Sequence, residues 1–405
     1  MRTLILYANY SSTASYYDDW YDAFVNDSFF KTESYDICNF SKEKLLQQIT
    51  SYELIVLLHS TNADNLIYLK NILYILEKRK GFLVSFVGNE VNVPNTYMKD
   101  RISILKQLEP NYIFTQLLAN TGTWLYEDCI NSKVISIPHA LNNKAFYPIK
   151  NLASRNIDLG VRSFKYDIHL GDKERNDFFN VINKNSKKYN LLCNISCDPN
   201  KRFNRIQWAD FLNNCKGTIA TEAGTYYLEK DDKMVIEIQK FLSEKRKEEG
   251  GITIEKDSSI FDFYHFLPKK MKEFIKYIYY KYSDTLNIKY EYLISEEEKF
   301  NEVYLYIIKN YDRCEFYSKA ISSRHFDAIG TKTSLLMLEG RYNDILIPNE
   351  HFIEIKKDYS NLESQLEKFK DISYIENMAS VTLEYVLDRH RHFHRINKIK
   401  SILDI

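Results

Sequence analysis

The chain carries no net charge: 55 lysines and arginines balance 55 aspartates and glutamates over 405 residues. No global field therefore draws it to nucleic acid. It holds no run of about 18 apolar residues, the length that spans a bilayer. Its opening, MRTLILYANYSS, lacks the basic stretch and apolar core of a secretory signal. These absences predict a cytoplasmic protein, at most peripheral to the inner face of the membrane. The six cysteines (38, 129, 193, 197, 215 and 314) are scattered and, with no export signal, are expected to be thiols. Cys193 and Cys197 are four apart, but a buried strand over Asn190–Cys197 explains them better than a metal pair does. The glycine-rich dinucleotide fingerprint is missing, and only 11 glycines occur at all, which argues against a dehydrogenase. There is no repeat and no low-complexity segment.

What is present is an alternation of apolar runs and amphipathic stretches. Hydrophobic residues make up 44% and charged residues 27%, an ordinary globular balance. The length favours two domains. In the first third, strands are predicted at Thr3–Tyr7, Tyr35–Asn39, Glu53–Leu58, Phe82–Val87, Tyr112–Thr115 and Val134–Ile137. Helices are predicted at Ser15–Val25, Ser41–Gln48 (Ser41 as N-cap) and Asn65–Lys78. Short buried strands separated by helices mean a parallel, doubly wound sheet. The proline-flanked segment Pro138–Pro148 reads as a linker. A second α/β series follows: strands at Ile157–Gly160, Leu191–Ile195 and Gly217–Thr221, with helices at about Gly171–Lys184 and Gln207–Asn213. Between Glu229 and Ala320 the pattern turns helical, at Lys233–Glu249, Lys269–Tyr282 and Ser295–Asn310, as for an insertion. The α/β pattern resumes with a helix at Arg324–Gly330 and strands at Ser334–Leu338 and His351–Ile355. The tail, Ile375–Ile405, is mostly helix.

Ligands of open α/β sheets bind beyond the carboxyl ends of the strands, so the loops there supply the candidates. After Ile157–Gly160 come Arg162 and Lys165, cations that can hold a diphosphate, with Ser163 between them. After Gly217–Thr221 come Glu222, Ala223, Gly224 and Thr225, small residues around an acid directed to the cleft. Arg324, His325 and Asp327 open the next helix, where the N-terminus suits phosphate and an acid one turn on suits a sugar hydroxyl. The bland alternatives are a basic loop, a turn acid and a surface Arg–Asp pair. In the first half, His59 ends a buried strand, and Glu90 lies in the loop after Phe82–Val87. His139 and Asn142 occupy the linker, at the floor of an interdomain cleft. In the tail, His390, His392 and His394 would share a face only on a strand, where metal binding would be thinkable. On the helix that the flanks predict, His392 points away, and a basic helix end is the better reading.

The chain resembles the GT-B glycosyltransferases, specifically the bacterial family-1-like, spore-maturation-type enzymes. The likeness is carried by Gly81–Glu90, Ile137–Pro148, Ile157–Ser163, Trp208–Thr225 and the stretch from Ile321. It implies two Rossmann-like domains facing across a cleft, at about residues 1–145 and 146–378, with residues 379–405 a helix that crosses back onto the first domain. It implies a nucleotide-diphosphate-sugar donor on the second domain, and a polysaccharide, glycolipid or protein acceptor on the first, as in cell-surface polysaccharide synthesis. No cofactor or metal is required. Asp327 is at the position of the ribose-binding acid of the wider superfamily's Glu-x7-Glu motif, with Glu222 as a substitute for the first acid. Glu222, His59 and Glu90 are then the catalytic candidates, with His139 as a further acceptor-side base. A sugar-nucleotide epimerase of the same fold, or a non-catalytic interaction protein using the helical insertion, are the alternatives.

Overall fold

A computed structural model describes residues 1–9, 15–198, 201–250, 252–254, 267, 269–282, 288–290 and 299–403. The first half forms one six-stranded sheet. Its strands are β1 (Arg2–Tyr7), β2 (Lys31–Asp36), β3 (Leu54–Leu57), β4 (Phe82–Phe86), β5 (Tyr112–Thr115) and β6 (Lys133–Ser136), in the order β2-β1-β3-β4-β5-β6. Every pairing is parallel, with Ile5 opposite Val56 and Val56 opposite Val84. Alternate residues feed opposite faces: Leu4, Leu6, Ile55 and Leu57 enter one core, and Ile5, Leu54, Val56 and Leu58 the other. Both faces are covered, which is why β3 reads as an unbroken apolar run, LIVL.

The second half contributes β7 (Ile157–Arg162), β8 (Cys193–Ser196) and β9 (Cys215–Ala220). Two small ladders follow: β10 (Ala223–Gly224) with β13 (Lys319–Ala320), and β11 (Ile252–Ile254) with β12 (Ile288–Tyr290). Then β14 (Ser334–Leu338) and β15 (Ile353–Ile355) complete a five-stranded parallel sheet, β15-β14-β9-β7-β8. Each large sheet reverses its winding once, between β1 and β3 and between β7 and β9. The insertion holds helices Lys233–Glu248, Lys269–Tyr282 and Phe300–Tyr306 besides the β11–β12 pair. Residues 295–298 of the expected helix lie outside the described residues.

Three expectations shift. The strand expected at Tyr35–Asn39 is β2, four residues earlier: an edge strand with one partner and mostly half-buried residues, so no apolar run marks it. The helix expected over Asn65–Lys78 is two single turns, Ile67–Lys70 and Leu73–Leu76, broken at Asn71 and Ile72. The tail is helix Ile372–Arg389, a break at His390, and helix His392–Ile402. That last helix returns to the first domain, where Ile396, Ile399 and Leu403 pack with Trp20, Phe24 and Val56. Lys400 pairs with Asp27 at 2.6 Å beside them.

The chain thus passes between the halves at the linker and again at the tail. Leu141 N–H donates to the His390 carbonyl (2.8 Å), and His392 N–H donates to the Leu141 carbonyl (3.1 Å). Arg395 adds bonds to the carbonyls of Pro138 (2.9 Å) and His139 (3.1 Å). The first helix, Ser15–Val25, also ties the halves. Asp19 and Asp22 accept from Arg205 at 3.0 and 2.6 Å, and Asn142 donates to Asp19 at 2.8 Å. Among the described residues, no helix is long and apolar enough to cross a membrane.

Candidate active site in the interdomain cleft

A cleft of about 330 Å³ opens where the carboxyl ends of the two sheets face each other. On the second-domain side it lies at the β7/β9 reversal, lined by Val161, Arg162, Ser163, Thr218, Ala220 and Thr221. That is the crevice in which open parallel sheets bind ligands.

The second-domain wall is cationic: Arg162, Arg175, Arg202 and Arg324 all line it. Arg162 stacks on Phe211 (4.4 Å) and donates to the Asn194 carbonyl (3.0 Å). Arg175 stacks on Tyr166 (4.2 Å) and donates to Thr221 Oγ1 (3.1 Å) and the Glu222 carbonyl (3.2 Å). Arg324 donates to the Arg162 carbonyl at 2.9 Å. These three cations are held by aromatic faces, carbonyls and a hydroxyl, not by carboxylates. Arg202 stacks on Phe164 at 3.9 Å. Burial first, then the charges of Arg202 and Arg175, push the Arg324 pKa down. Like charges gathered in a cleft favour an anion between them. The N-terminus of helix Ser323–Gly330 points the same way, through Ser322, Ser323, Arg324 and His325.

The first-domain wall comprises Tyr16, Tyr17, Asp64, Asn89 and His139. Arg101, buried in helix Met98–Leu108, fixes it by donating to the carbonyls of Asn62 (3.0 Å), Ala63 (2.9 Å) and Asn89 (3.1 Å). Gly88 lets the two loops close, since a Cβ there would stand 2.6 Å from that of Ala63. Asn89 Nδ2 donates to the Asp64 carboxylate. Asp64 is the one carboxylate among the described residues lining the cleft.

Of the residues expected from the sequence, Arg162, Ser163, Ala223, Arg324, His325 and His139 line this cleft. The others do not, for identifiable reasons. Glu222 turns away from it: its carboxylate accepts from Tyr317 O–H and from Tyr342 N–H (2.7 Å). It thereby fixes the loop after β14, where Tyr342, Asn343 and Asp344 run at φ 48°, 55° and 57°. Glu90 is buried and accepts from Thr115 Oγ1 (2.6 Å), Gln116 N–H (2.9 Å) and Tyr126 O–H (2.9 Å), which leaves it an internal brace. Asp327 is buried and accepts from Trp208 Nε1 (3.0 Å) and from Ser15 Oγ of the first domain (3.1 Å). It is a tie between domains; burial, then the Asp19 charge, raise its pKa. Thr225 donates to the Leu170 carbonyl, and Gly224, at φ 103°, belongs to β10. Lys165 is on the exposed face of its loop, and Asn142 belongs to the Asp19 network. His59 is fully buried beneath the wall, stacked on His139 at 5.3 Å, and neither ring nitrogen has a hydrogen-bond partner. Burial drives its pKa down, so it is neutral and remote from solvent. The tail histidines do not share a face, and no group of metal-ligating side chains occurs among the described residues.

Arg175, Arg202 and Asp64 were not anticipated. Arg175 is in the first turn of a helix, and Arg202 in the loop after β8, where a basic residue resembles ordinary surface charge. Asp64 follows β3 by seven residues, beyond the loop positions normally read as strand ends. The signal was weak: each is in the segment that follows a parallel strand, but six to thirteen residues beyond its end.

Two doubly wound parallel sheets facing across a cleft, with the last helix returned to the first domain, define the GT-B fold. No family model matches the chain, and no curated protein matches it. Among solved structures, HepE of Anabaena bound to UDP-glucose is similar at 9% identity, covering 100% of this chain and 99% of that one, with a TM-score of 0.49. Sucrose-phosphate synthase from Thermosynechococcus elongatus is similar at 10% identity, over 100% and 98% of the two chains, with a TM-score of 0.47. Likeness at this level leaves function to be argued from the chain's own site.

Proposed function

We propose that this protein is a glycosyltransferase that moves a sugar, of hexosyl type, from a nucleotide-diphosphate donor to a hydroxyl of a polysaccharide, glycolipid or protein acceptor. One observation carries the reading: four arginines and a helix N-terminus meet at the β7/β9 reversal, opposite a wall of different chemistry. Such a cluster suits a diphosphate. It neutralises the charge that develops on the leaving group, which is electrostatic catalysis by fixed cations. The spore-maturation-type subfamily is part of this proposal, as are division near residues 145 and 378 and a cytoplasmic setting. A thermal-shift screen with UDP, GDP, ADP, CMP and their sugars tests it. A ligand at 100 times its Kd stabilises by about 2.7 kcal/mol. No shift with any of them sinks the proposal.

Asp64 is the acceptor-side base in this reading. It takes the proton of the acceptor hydroxyl as that oxygen bonds the anomeric carbon, while the carbon–diphosphate bond breaks and its electron pair leaves with the diphosphate. Asp64 is exposed at the cleft, and the protein crowded around it still raises its pKa by desolvation, against the pull of Asn89, Arg101 and Arg202. A base must be deprotonated to act, so kcat falls as pH drops through that raised value. Asp64→Asn is expected to cut transfer about 10²–10⁴-fold, with donor affinity nearly unchanged. Transfer at the wild-type rate, measured with saturating donor and acceptor, removes Asp64 from this role.

A further inference from the structure

His139 and His325 line the same cleft from opposite domains. Each ring has one nitrogen occupied by a fixed donor. Trp20 Nε1–H donates to His139 Nδ1 at 3.2 Å. Ser322 N–H donates to His325 Nδ1 at 3.0 Å in the cap of helix Ser323–Gly330, and Ser322 Oγ, a second possible donor, is 3.0 Å from the same nitrogen; the Ser322 carbonyl, the competing acceptor, is farther, at 3.2 Å. A neutral imidazole has one donor and one acceptor nitrogen. For His139 the Trp20 donor places the proton on Nε2, and for His325 the two nearer donors at Nδ1 favour the same tautomer over the farther carbonyl. Both rings are also neutral near pH 7. Burial, then Arg395 and His325, takes His139 down to about 3, and burial takes His325 down to about 4. His325 Nε2 is buried, and it has no hydrogen-bond partner.

A buried N–H without an acceptor is destabilising, because it has given up its bond to water. Such a group, beside Arg324 at a helix N-terminus, calls for an acceptor from outside the chain. We propose that His139 and His325 are paired hydrogen-bond donors, one from each domain, to phosphate oxygens of a nucleoside diphosphate in the cleft. The inference rests on the donor-site reading above and adds what that reading lacks: a contact made by the first domain to the donor's phosphates. It also excludes a role. A ring whose Nδ1 is bonded and whose Nε2 carries the proton cannot accept one, so neither histidine is the base. Because the two come from different domains, their joint contact forms only when the cleft is closed, and a diphosphate held by both favours closure. Trp20 and Ser322 are positioning residues for it.

The test has two parts. Nitrogen-15 NMR of the histidine rings at pH 7, without ligand, reads the tautomers. Both rings are expected as Nε2–H, and both Nε2 resonances move on adding UDP but not on adding uridine. An Nδ1–H ring or an imidazolium at either position overturns the proposal. Calorimetry with UDP then compares His139→Leu and His325→Leu with His139→Gln and His325→Gln. Leucine is expected to weaken binding about tenfold or more at each site, as for loss of a bond to a charged group. Glutamine, which returns an amide N–H near the Nε2 position, is expected to recover most of it. Equal affinity for leucine variants and wild type overturns the proposal; circular dichroism on each variant separates lost contact from lost fold. If wild type binds UDP, GDP and ADP not at all, the donor-site reading falls and takes the proposed ligand with it. The ligand-free ring resonances keep that outcome distinct from a wrong tautomer.

Discussion

Arg324→Ala is expected to lower kcat/KM for the nucleotide sugar about 10²–10³-fold, the loss typical of a fixed donor to developing charge. Arg324 is the residue in which the site's features meet. It opens a helix at its positive end, it faces Arg175 and Arg202, and its guanidinium holds the Arg162 carbonyl at 2.9 Å. Without it the cluster loses a charge and the strand end loses a tie. Arg324→Lys is expected to recover little, because an ammonium cannot reproduce the planar fork that holds a carbonyl and meets a phosphate together. Stability moves in the opposite sense. The arginine is held against like charge and desolvation, so the ligand-free alanine variant is expected to melt no lower than wild type. Steady-state kinetics over donor concentration and a melting curve check both. Wild-type kcat/KM in the alanine variant would remove the arginine cluster from the reaction.

Truncation after Arg389 is expected to abolish cooperative folding of the first domain. The lost helix carries Ile396 and Ile399, at 1% and 0% exposure, against Trp20 and Phe24 at 0% each. Removing one such isoleucine to alanine costs about 2–5 kcal/mol, and a whole domain is stable by only about 5–15 kcal/mol. Losing both, with Leu403 and the Arg395 bonds to Pro138 and His139, consumes most of that margin. The graded form is Ile399→Ala. Urea unfolding is expected to show about 2–5 kcal/mol of destabilisation, in the transition that exposes Trp20. A truncated protein that unfolds like the full chain would show that the returning helix does not hold this domain.

The fold was largely legible because buried parallel strands announce themselves as continuous apolar runs, as in β3 and β14. Where a strand is an edge, as β2 is, that signal vanishes and the placement slipped by four residues. The cleft was legible in part, from loops that follow strands: Arg162, Ser163, Ala223, Arg324 and His325 are in it. The acids were the hardest to place, for a common reason. A carboxylate near a strand end serves a ligand or an internal bond equally well, and only the surroundings decide. Tyr317 and Tyr342 take Glu222, Thr115 and Tyr126 take Glu90, and Trp208 and Ser15 take Asp327. Those partners lie between about 25 and 312 positions away along the chain, beyond the reach of any local pattern.

The two passages of the chain between the halves lie side by side, bonded through Leu141, His390 and His392. A single tether would leave the halves free to swivel, slide and tilt. Two tethers stitched together behave as a ribbon: they bend about the one line that runs across both and resist shear along it. Swivel and slide between the halves are thereby opposed at this seam, and the Ser15–Asp327 and Asp19–Arg205 bonds tie the halves again beside the cleft that His139 and His325 line.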